Sequence, residues 1–139
     1  MAIHLFFFSS TEEFVNHINQ EIVDAKTAFL LHTQWLDDSR RHYELTVSDK
    51  DKKVKETMRG HSMPANMKQV EIEGLKVLIN PTPSYELPVL DEAIGYIQTK
   101  LEALERIKKY LLPSLKSYAK ITAIYDEGIP QAFMCYETD

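Results

Sequence analysis

The first 59 residues contain neither glycine nor proline, and this absence constrains the fold more than any other feature of the sequence. All four glycines and all six prolines occur from Gly60 onward. Glycine and proline are the residues that most often mark turns and interrupt helices, so the first part of the chain has few places to reverse direction. We therefore expect long regular segments before residue 60 and shorter segments joined by turns after it.

Two long amphipathic helices are predicted from the spacing of apolar residues. Ser10 and Glu13 match a capping box, which marks a helix start. From there, positions spaced three and four residues apart form one helix face: Val15, Ile18, Ile22, Ala25, Phe29, His32 and Leu36. A second stripe has the same spacing: Leu90, Ile94, Ile97, Leu101, Leu104, Lys108, Leu111 and Leu115. We expect the first helix to reach about residue 42, and the second to begin at Pro88 and break near residue 112, before Pro113.

Short strands are predicted on both sides of these helices. The apolar run at residues 3–8 suits a buried strand. Residues 70–72 and 75–79 flank a Glu-Gly pair, and residues 121–125 and 131–136 flank a second one, so two hairpins are expected. Apolar residues that alternate with polar ones favour a further short strand directly after the first helix, at Tyr43, Leu45 and Val47.

These elements predict an α+β fold, with two long amphipathic helices packed with a small antiparallel sheet of short strands and hairpins. The alternation of strand and helix that builds a parallel sheet does not occur. A chain of 139 residues suits one domain of ordinary size, so we expect residues 1–139 to form a single domain.

Composition excludes several classes of protein. The net charge of −5 argues against a factor that binds duplex nucleic acid by general phosphate neutralisation. Cys135 is the sole cysteine, which rules out an intrachain disulfide and favours a reducing cytoplasm. The start of the chain is a poor signal peptide, and no segment approaches the roughly 18 to 20 apolar residues that span a bilayer. We expect a soluble, cytoplasmic protein without a membrane partner.

Metal and cofactor sites are not expected. Glu13, His17 and Glu21 lie at intervals of four and would share one helix face, but the further ligands of known helical metal motifs are missing, which favours a solvated face. The Cys135 thiol has apolar neighbours and is interpreted as buried and inert. One group of residues weakly resembles a copper-binding cluster: Met58, His61, Met63 and Met67. A loop whose methionines fill gaps explains this group better.

The absence of catalytic motifs, together with wide apolar helix faces, favours a non-catalytic protein-interaction or regulatory module. An adaptor or an antitoxin-like or immunity-like inhibitor would have these properties. The partner would be another protein or a second copy of the chain, because an uncovered apolar helix face tends to need a partner and symmetric homodimers are the commonest soluble oligomers. The residues predicted to form this interaction surface are Phe29, Leu31, His32, Trp35 and Leu36.

Two alternatives remain open. The first is a small enzyme whose pocket gathers dispersed side chains, with His17, His32, Asp37 and His42 as candidates. The second is a nucleic-acid-binding factor that uses the positive segment from Lys50 to Arg59. Acidic residues dilute this segment and no aromatic residue interleaves with it, so nucleic acid is an unlikely partner.

Overall fold

The computed structural model describes residues 2–47 and 68–138, and it confirms the α+β class. Its helices are α1 (Thr11–Val47) and α2 (Pro83–Arg106), and α2 is followed by a π-helical turn (Ile107–Leu111) and a 3₁₀ turn (Leu112–Ser114). Its strands are β1 (Ile3–Phe8), β2 (Lys68–Ile72), β3 (Leu75–Ile79), β4 (Lys120–Asp126) and β5 (Ile129–Tyr136).

The chain forms two compact units, and each long helix contributes residues to both. Unit 1 comprises Met1–Leu31 and Ile94–Asp139, and unit 2 comprises His32–Ala93. The single domain predicted above requires the two units to unfold together, and this cooperative unfolding remains a prediction. No helix in residues 2–47 or 68–138 carries an apolar stretch long enough to cross a bilayer.

Helix α1 begins at the predicted capping box. The Ser10 hydroxyl accepts a hydrogen bond from the Glu13 N–H at 3.1 Å, and the Glu13 carboxylate accepts one from the Ser9 N–H at 3.0 Å. The strand predicted at residues 43–47 is wrong, because α1 continues through Val47. No glycine or proline stops the helix there, and extending a helix adds a hydrogen bond per residue without a new nucleation cost. This outweighs the short alternation of apolar residues.

Helix α2 begins five residues earlier than predicted, at Pro83. The carbonyl of Thr82 accepts hydrogen bonds from the N–H groups of Tyr85 and Glu86, at 2.9 and 3.0 Å, so Thr82 caps the first turn. Pro83 occupies the first helical position, the role that we assigned to Pro88. Pro88 instead lies inside the helix, where it removes the hydrogen bond that its N–H would have donated.

The end of α2 departs from a regular α-helix. The α-helical part ends at Arg106, and the chain turns through the π-helical and 3₁₀ segments before it extends at Leu115. Pro113 lies in the 3₁₀ turn, close to the predicted break. Ile107 is buried and Lys108 is exposed, so the assignment of Lys108 to the apolar stripe is wrong.

Unit 1 contains a three-stranded antiparallel sheet in the order β1-β4-β5. Phe6 lies opposite Ala123, which in turn lies opposite Phe133. Its hairpin turn has positive φ at Glu127 (53°) and Gly128 (79°), as a type I′ turn requires. Among residues 2–47 and 68–138, the largest fully buried side chains all belong to this unit: Phe14, Ile18, Leu104, Ile121 and Tyr125.

A tyrosine secures the β4–β5 turn within unit 1. The Tyr96 hydroxyl donates a hydrogen bond to the carbonyl of Glu127 at 2.7 Å. The same hydroxyl lies directly against Gly128, so closely that any Cβ at position 128 would collide with it. Glycine is therefore required at this position for two reasons, its positive φ and the contact with Tyr96.

Unit 2 contains the β2–β3 hairpin, which the sequence predicted correctly. Its turn also has positive φ, at Glu73 (51°) and Gly74 (79°). Side chains along both strands are largely exposed. Among the described residues of unit 2, the buried side chains are those of Leu36 and Ser39 on α1 and Leu90 on α2.

Candidate functional site

An apolar pocket of about 250 Å³ lies within unit 2, and we call it the Trp35 pocket. It is formed by the part of α1 that belongs to this unit, the first half of α2 and the end of β3. The residues that line it are His32, Trp35, Leu78, Pro81, Tyr85, Glu86, Val89, Leu90 and Ala93.

The helical repeat explains how α2 supplies one side of this pocket. Glu86, Val89, Leu90 and Ala93 follow the spacing i, i+3, i+4 and i+7, which places four side chains on one face of a helix. On α1, His32 and Trp35 are three residues apart and also share a face. The two helices therefore each present one consistent stripe to the pocket.

Trp35 is the most distinctive side chain of the pocket. Its indole N–H donates a hydrogen bond to Glu86 Oε2 at 3.0 Å, yet 52% of the residue remains exposed. Val89 is 66% exposed, whereas Leu90 is buried. A large aromatic surface is thus held in a defined orientation at the edge of the pocket, beside an apolar interior.

Polar groups are few around this pocket. Glu86 is the one carboxylate among the described lining residues, and Trp35 already occupies one of its oxygens. An ionised carboxylate has about four acceptor positions, so Glu86 can accept further hydrogen bonds. None of the described lining residues is a serine, cysteine or lysine, the usual nucleophiles of covalent catalysis.

The predicted interaction residues divide between the two units. His32 and Trp35 line the pocket, and Leu36 is buried inside unit 2. Phe29 and Leu31 belong to unit 1, where Leu31 is exposed and Phe29 lines a separate shallow groove. The predicted group is therefore not one continuous surface within a unit.

Sequence reasoning missed the residues that α2 and the preceding segment contribute. Tyr85 and Glu86 precede the helix start expected at Pro88, and Val89 directly follows it, so the pocket face to which they belong was not recognised. With the start moved to Pro83, the spacing of positions 86, 89, 90 and 93 is visible in the sequence. Thr82 followed by Pro83 was the available signal, since a threonine cap before a proline at the first helical position marks a helix start.

A polar network in unit 1 involves two of the residues once considered as metal ligands. His17 Nε2 lies 3.0 Å from Glu21 Oε1, and the Tyr125 hydroxyl donates to Glu21 Oε2 at 2.9 Å. The ring of His17 also lies near those of Phe6 and Phe8, at 5.7 and 5.0 Å between centroids. Burial, followed by the hydrogen bond to Glu21, raises the pKa of Tyr125 well above its usual value.

This network connects α1 to β4 and engages both oxygens of Glu21. Glu13, the third member of the candidate metal face, is used by the helix cap, and its hydrogen bonds from Ser9 lower its pKa. Among residues 2–47 and 68–138, no group of three or more His, Cys, Asp or Glu side chains is placed to hold a metal ion. The cluster around His61 lies outside the described residues.

Other candidate residues for chemistry are dispersed. His17 lies in unit 1, whereas His32, Asp37 and His42 lie in unit 2 on α1. Intervals of five residues turn a helix by about 140°, so these three side chains point in different directions. The Cys135 thiol is only partly buried, not buried as predicted, but this burial raises its pKa, which disfavours the reactive thiolate. The segment from Lys50 to Arg59 lies outside the described residues.

Comparison with known proteins found no protein-family model, curated protein or solved structure that matches the chain. A function for this chain must therefore be inferred from the Trp35 pocket itself.

Proposed function

We propose that this chain is a non-catalytic protein-interaction module, an adaptor or inhibitor, which binds a segment of another protein at the Trp35 pocket. The observation that carries the proposal is Trp35 itself, half exposed yet oriented by Glu86 at the edge of an apolar pocket. Tryptophan and tyrosine at pockets are enriched among the residues that dominate binding energy at protein interfaces. Trp35 and Tyr85 provide both types here.

The size of the pocket favours a side chain over a cofactor. Sites for small molecules usually enclose about 300 to 1,000 Å³, and the Trp35 pocket encloses about 250 Å³. That volume suits one or two apolar side chains of a partner segment. The described lining is mainly apolar and includes no lysine or arginine that would bind a phosphate, which further favours an apolar anchor.

The negative charge of Glu86 at the pocket indicates which residue of the partner segment should lie next to this apolar anchor. Glu86 accepts one hydrogen bond from Trp35 and retains capacity for more. A lysine or arginine next to the apolar anchor would meet this carboxylate. We therefore expect the partner segment to combine a leucine-like or aromatic residue with an adjacent basic residue.

The cytoplasmic location and a homodimeric state belong to the proposal as well. A lone cysteine of raised pKa suits a reducing compartment. The predicted dimer was based on the apolar stripes, yet Ile18, Ile22 and Ala25 are part of the core of unit 1. Self-association must therefore use a different surface.

The experiment is a selection of peptides from a random display library against the full chain. Trp35 is the only tryptophan, so its fluorescence reports directly on the pocket. Selected peptides should share an apolar anchor with a basic neighbour and should shift the Trp35 emission to shorter wavelength as they exclude water.

Two matched variants localise the binding. Val89→Asp places a charge at the edge of the pocket and should weaken binding by about tenfold or more. Val23→Asp makes the same change at an exposed valine of α1 in unit 1 and should leave affinity unchanged. If the library yields no binders, or if both variants weaken binding equally, the proposal is wrong.

A further inference from the structure

Strand β1 is an edge strand of the sheet in unit 1, and we propose that it pairs in antiparallel orientation with β1 of a second copy of this chain. The surface is distinct from the Trp35 pocket, because it belongs to unit 1 and consists mainly of backbone. Its occupant is an extended strand, and the geometry of β1 itself favours an identical strand in that place.

The backbone groups on the outer side of β1 can be identified from the register. Ile3 lies opposite Asp126, so Ala2 lies opposite Glu127, and the Glu127 N–H donates to the Ala2 carbonyl at 2.9 Å. Bonded and non-bonded pairs alternate along an antiparallel ladder, so the even-numbered residues bond to β4. The N–H and C=O groups that point away from β4 are those of Ile3, Leu5 and Phe7. No strand of the described residues lies on that side.

The side chains of β1 lack the features that usually keep an edge strand from pairing. The strand contains no charged residue, proline or glycine, and Ile3, Leu5 and Phe7 are 50%, 47% and 72% exposed. The opposite edge, β5, carries Pro130 and a register irregularity beside it. Prolines and bulges are common devices against edge pairing, so the start of β5 is protected in this way, whereas β1 carries neither device along its length.

The outward groups of β1 are complementary to those of an identical strand. If Leu5 lies opposite Leu5 of the second copy, Ile3 lies opposite Phe7 of that copy, and the three outward residues all fall in bonded pairs. This register forms about six backbone hydrogen bonds around a two-fold axis. The pairing is closed, because a two-fold axis places the same strand of each copy against the other.

The size of the contact sets its strength. The strand edge and the three exposed side chains would bury on the order of 500 Å² per copy, at the low end of specific interfaces. We therefore expect a reversible dimer in equilibrium with monomer at micromolar concentration rather than a permanent one.

The test is sedimentation velocity of the full chain over a range of concentrations from low micromolar to near-millimolar. The wild type should shift from monomer to dimer as concentration rises. Leu5→Lys should weaken dimerisation by about tenfold or more, because two like charges would meet at the two-fold axis. Leu5 is half exposed in the monomer, so the lysine is compatible with the fold, which circular dichroism checks.

Met134→Lys is the matched control. Met134 lies opposite Thr122, so it is on the same sheet face as Leu5 but on the far strand, β5, and it is similarly exposed. Edge pairing predicts an unchanged dimer for this variant. Equal dissociation by both variants would instead mean that the sheet faces pack together, and the proposal would be overturned.

Amide hydrogen exchange of the wild type gives an independent test that needs no variant. Exchange at Ile3, Leu5 and Phe7 should slow as the concentration rises, whereas exchange at His4 and Phe6 should change much less. A chain that remains monomeric at every concentration, or a dimer in which these three amides stay unprotected, refutes the pairing. Val89→Asp should leave dimerisation unchanged, so failure here is distinguishable from failure of the proposed function.

Discussion

Truncation of Leu104 to alanine should be among the most destabilising single changes in unit 1. Leu104 has no exposed surface and belongs to the cluster that contains Phe14, Ile18 and Tyr125. Leu101, one turn earlier on the same stripe, is only partly buried and lines an open groove with Phe29. The two leucines therefore form a matched pair with the same chemistry and different surroundings.

The structure gives the expected magnitudes. Leu104→Ala removes a fully buried side chain and leaves a cavity in a closed interior, so we expect a cost of about 3 to 5 kcal/mol in the free energy of unfolding. Leu101→Ala opens onto a groove that water can enter, so the cavity contribution is small and about 1 to 2 kcal/mol is expected. With an unfolding entropy of about 2.1 cal/mol/K per residue, a loss of 3 kcal/mol in a chain of this length lowers Tm by about 10 °C.

Urea unfolding followed by two probes measures both effects. Far-ultraviolet circular dichroism reports on the helices, and Trp35 fluorescence reports on unit 2 alone. If the chain is the single cooperative domain predicted from its length, Leu104→Ala shifts both transitions equally, although Leu104 lies in unit 1. A cost below about 1 kcal/mol for Leu104→Ala, or a larger cost for Leu101→Ala, would refute the assigned helix register.

Two further predictions concern unit 1 and the hairpin turns. Gly128→Ala and Gly74→Ala both place alanine at a φ of 79°, but only position 128 meets the Tyr96 hydroxyl, whereas position 74 faces open space. Thermal unfolding should show a loss of stability of about 1 kcal/mol for Gly74→Ala and clearly more for Gly128→Ala. Equal losses would mean that the Tyr96 contact is unimportant. Tyr125 has a folded-state pKa raised above its ordinary value of 10.0, chiefly by burial, so the unfolded chain loses this proton first as pH rises. The free energy of unfolding should therefore be intact below pH 10 and fall above it. In urea unfolding at a series of pH values, Tyr125→Phe should flatten this alkaline decrease of the midpoint. An unchanged decrease would exclude Tyr125 as its cause.

Local signals in the sequence were sufficient for part of this fold. The capping box at Ser10 and Glu13 fixed the start of α1, and the two Glu-Gly pairs fixed both hairpins, because only a few residue types tolerate positive φ in such turns. These features depend on a few neighbouring residues. They could be read without knowledge of what packs against them.

The errors arose where two local signals competed or where tertiary contacts decided. At residues 43–47 the short alternation suggested a strand, but continuation of an existing helix was more favourable. At the start of α2, Pro83 and Pro88 both suit a first helical position, and the cap at Thr82 selected the earlier one. Near the end of α2, the positions three and four residues after Leu104 both suit a helical stripe, and the structure buries Ile107 rather than Lys108.

Only part of the candidate site could be predicted from the sequence, for the same reason. His32 and Trp35 lie on α1, whose start was predicted correctly, and both line the pocket. Tyr85 and Glu86 lie on the part of α2 that precedes the helix start predicted at Pro88. A pocket formed by segments distant in sequence requires the path of every segment, so an error in one boundary left these two lining residues unrecognised.

The pairing of β1 with β4 also has a consequence for the synthesis of the chain. Phe8 lies opposite Ile121, so more than a hundred residues separate the two strands. At a translation rate of about 5 to 20 residues per second, β1 leaves the ribosome on the order of ten seconds before β4 exists. During that interval the uncharged run of β1 lacks the strand with which it pairs, and its residues are exposed to the cell. A chaperone that recognises short aromatic stretches could therefore meet this strand before β4 has been made.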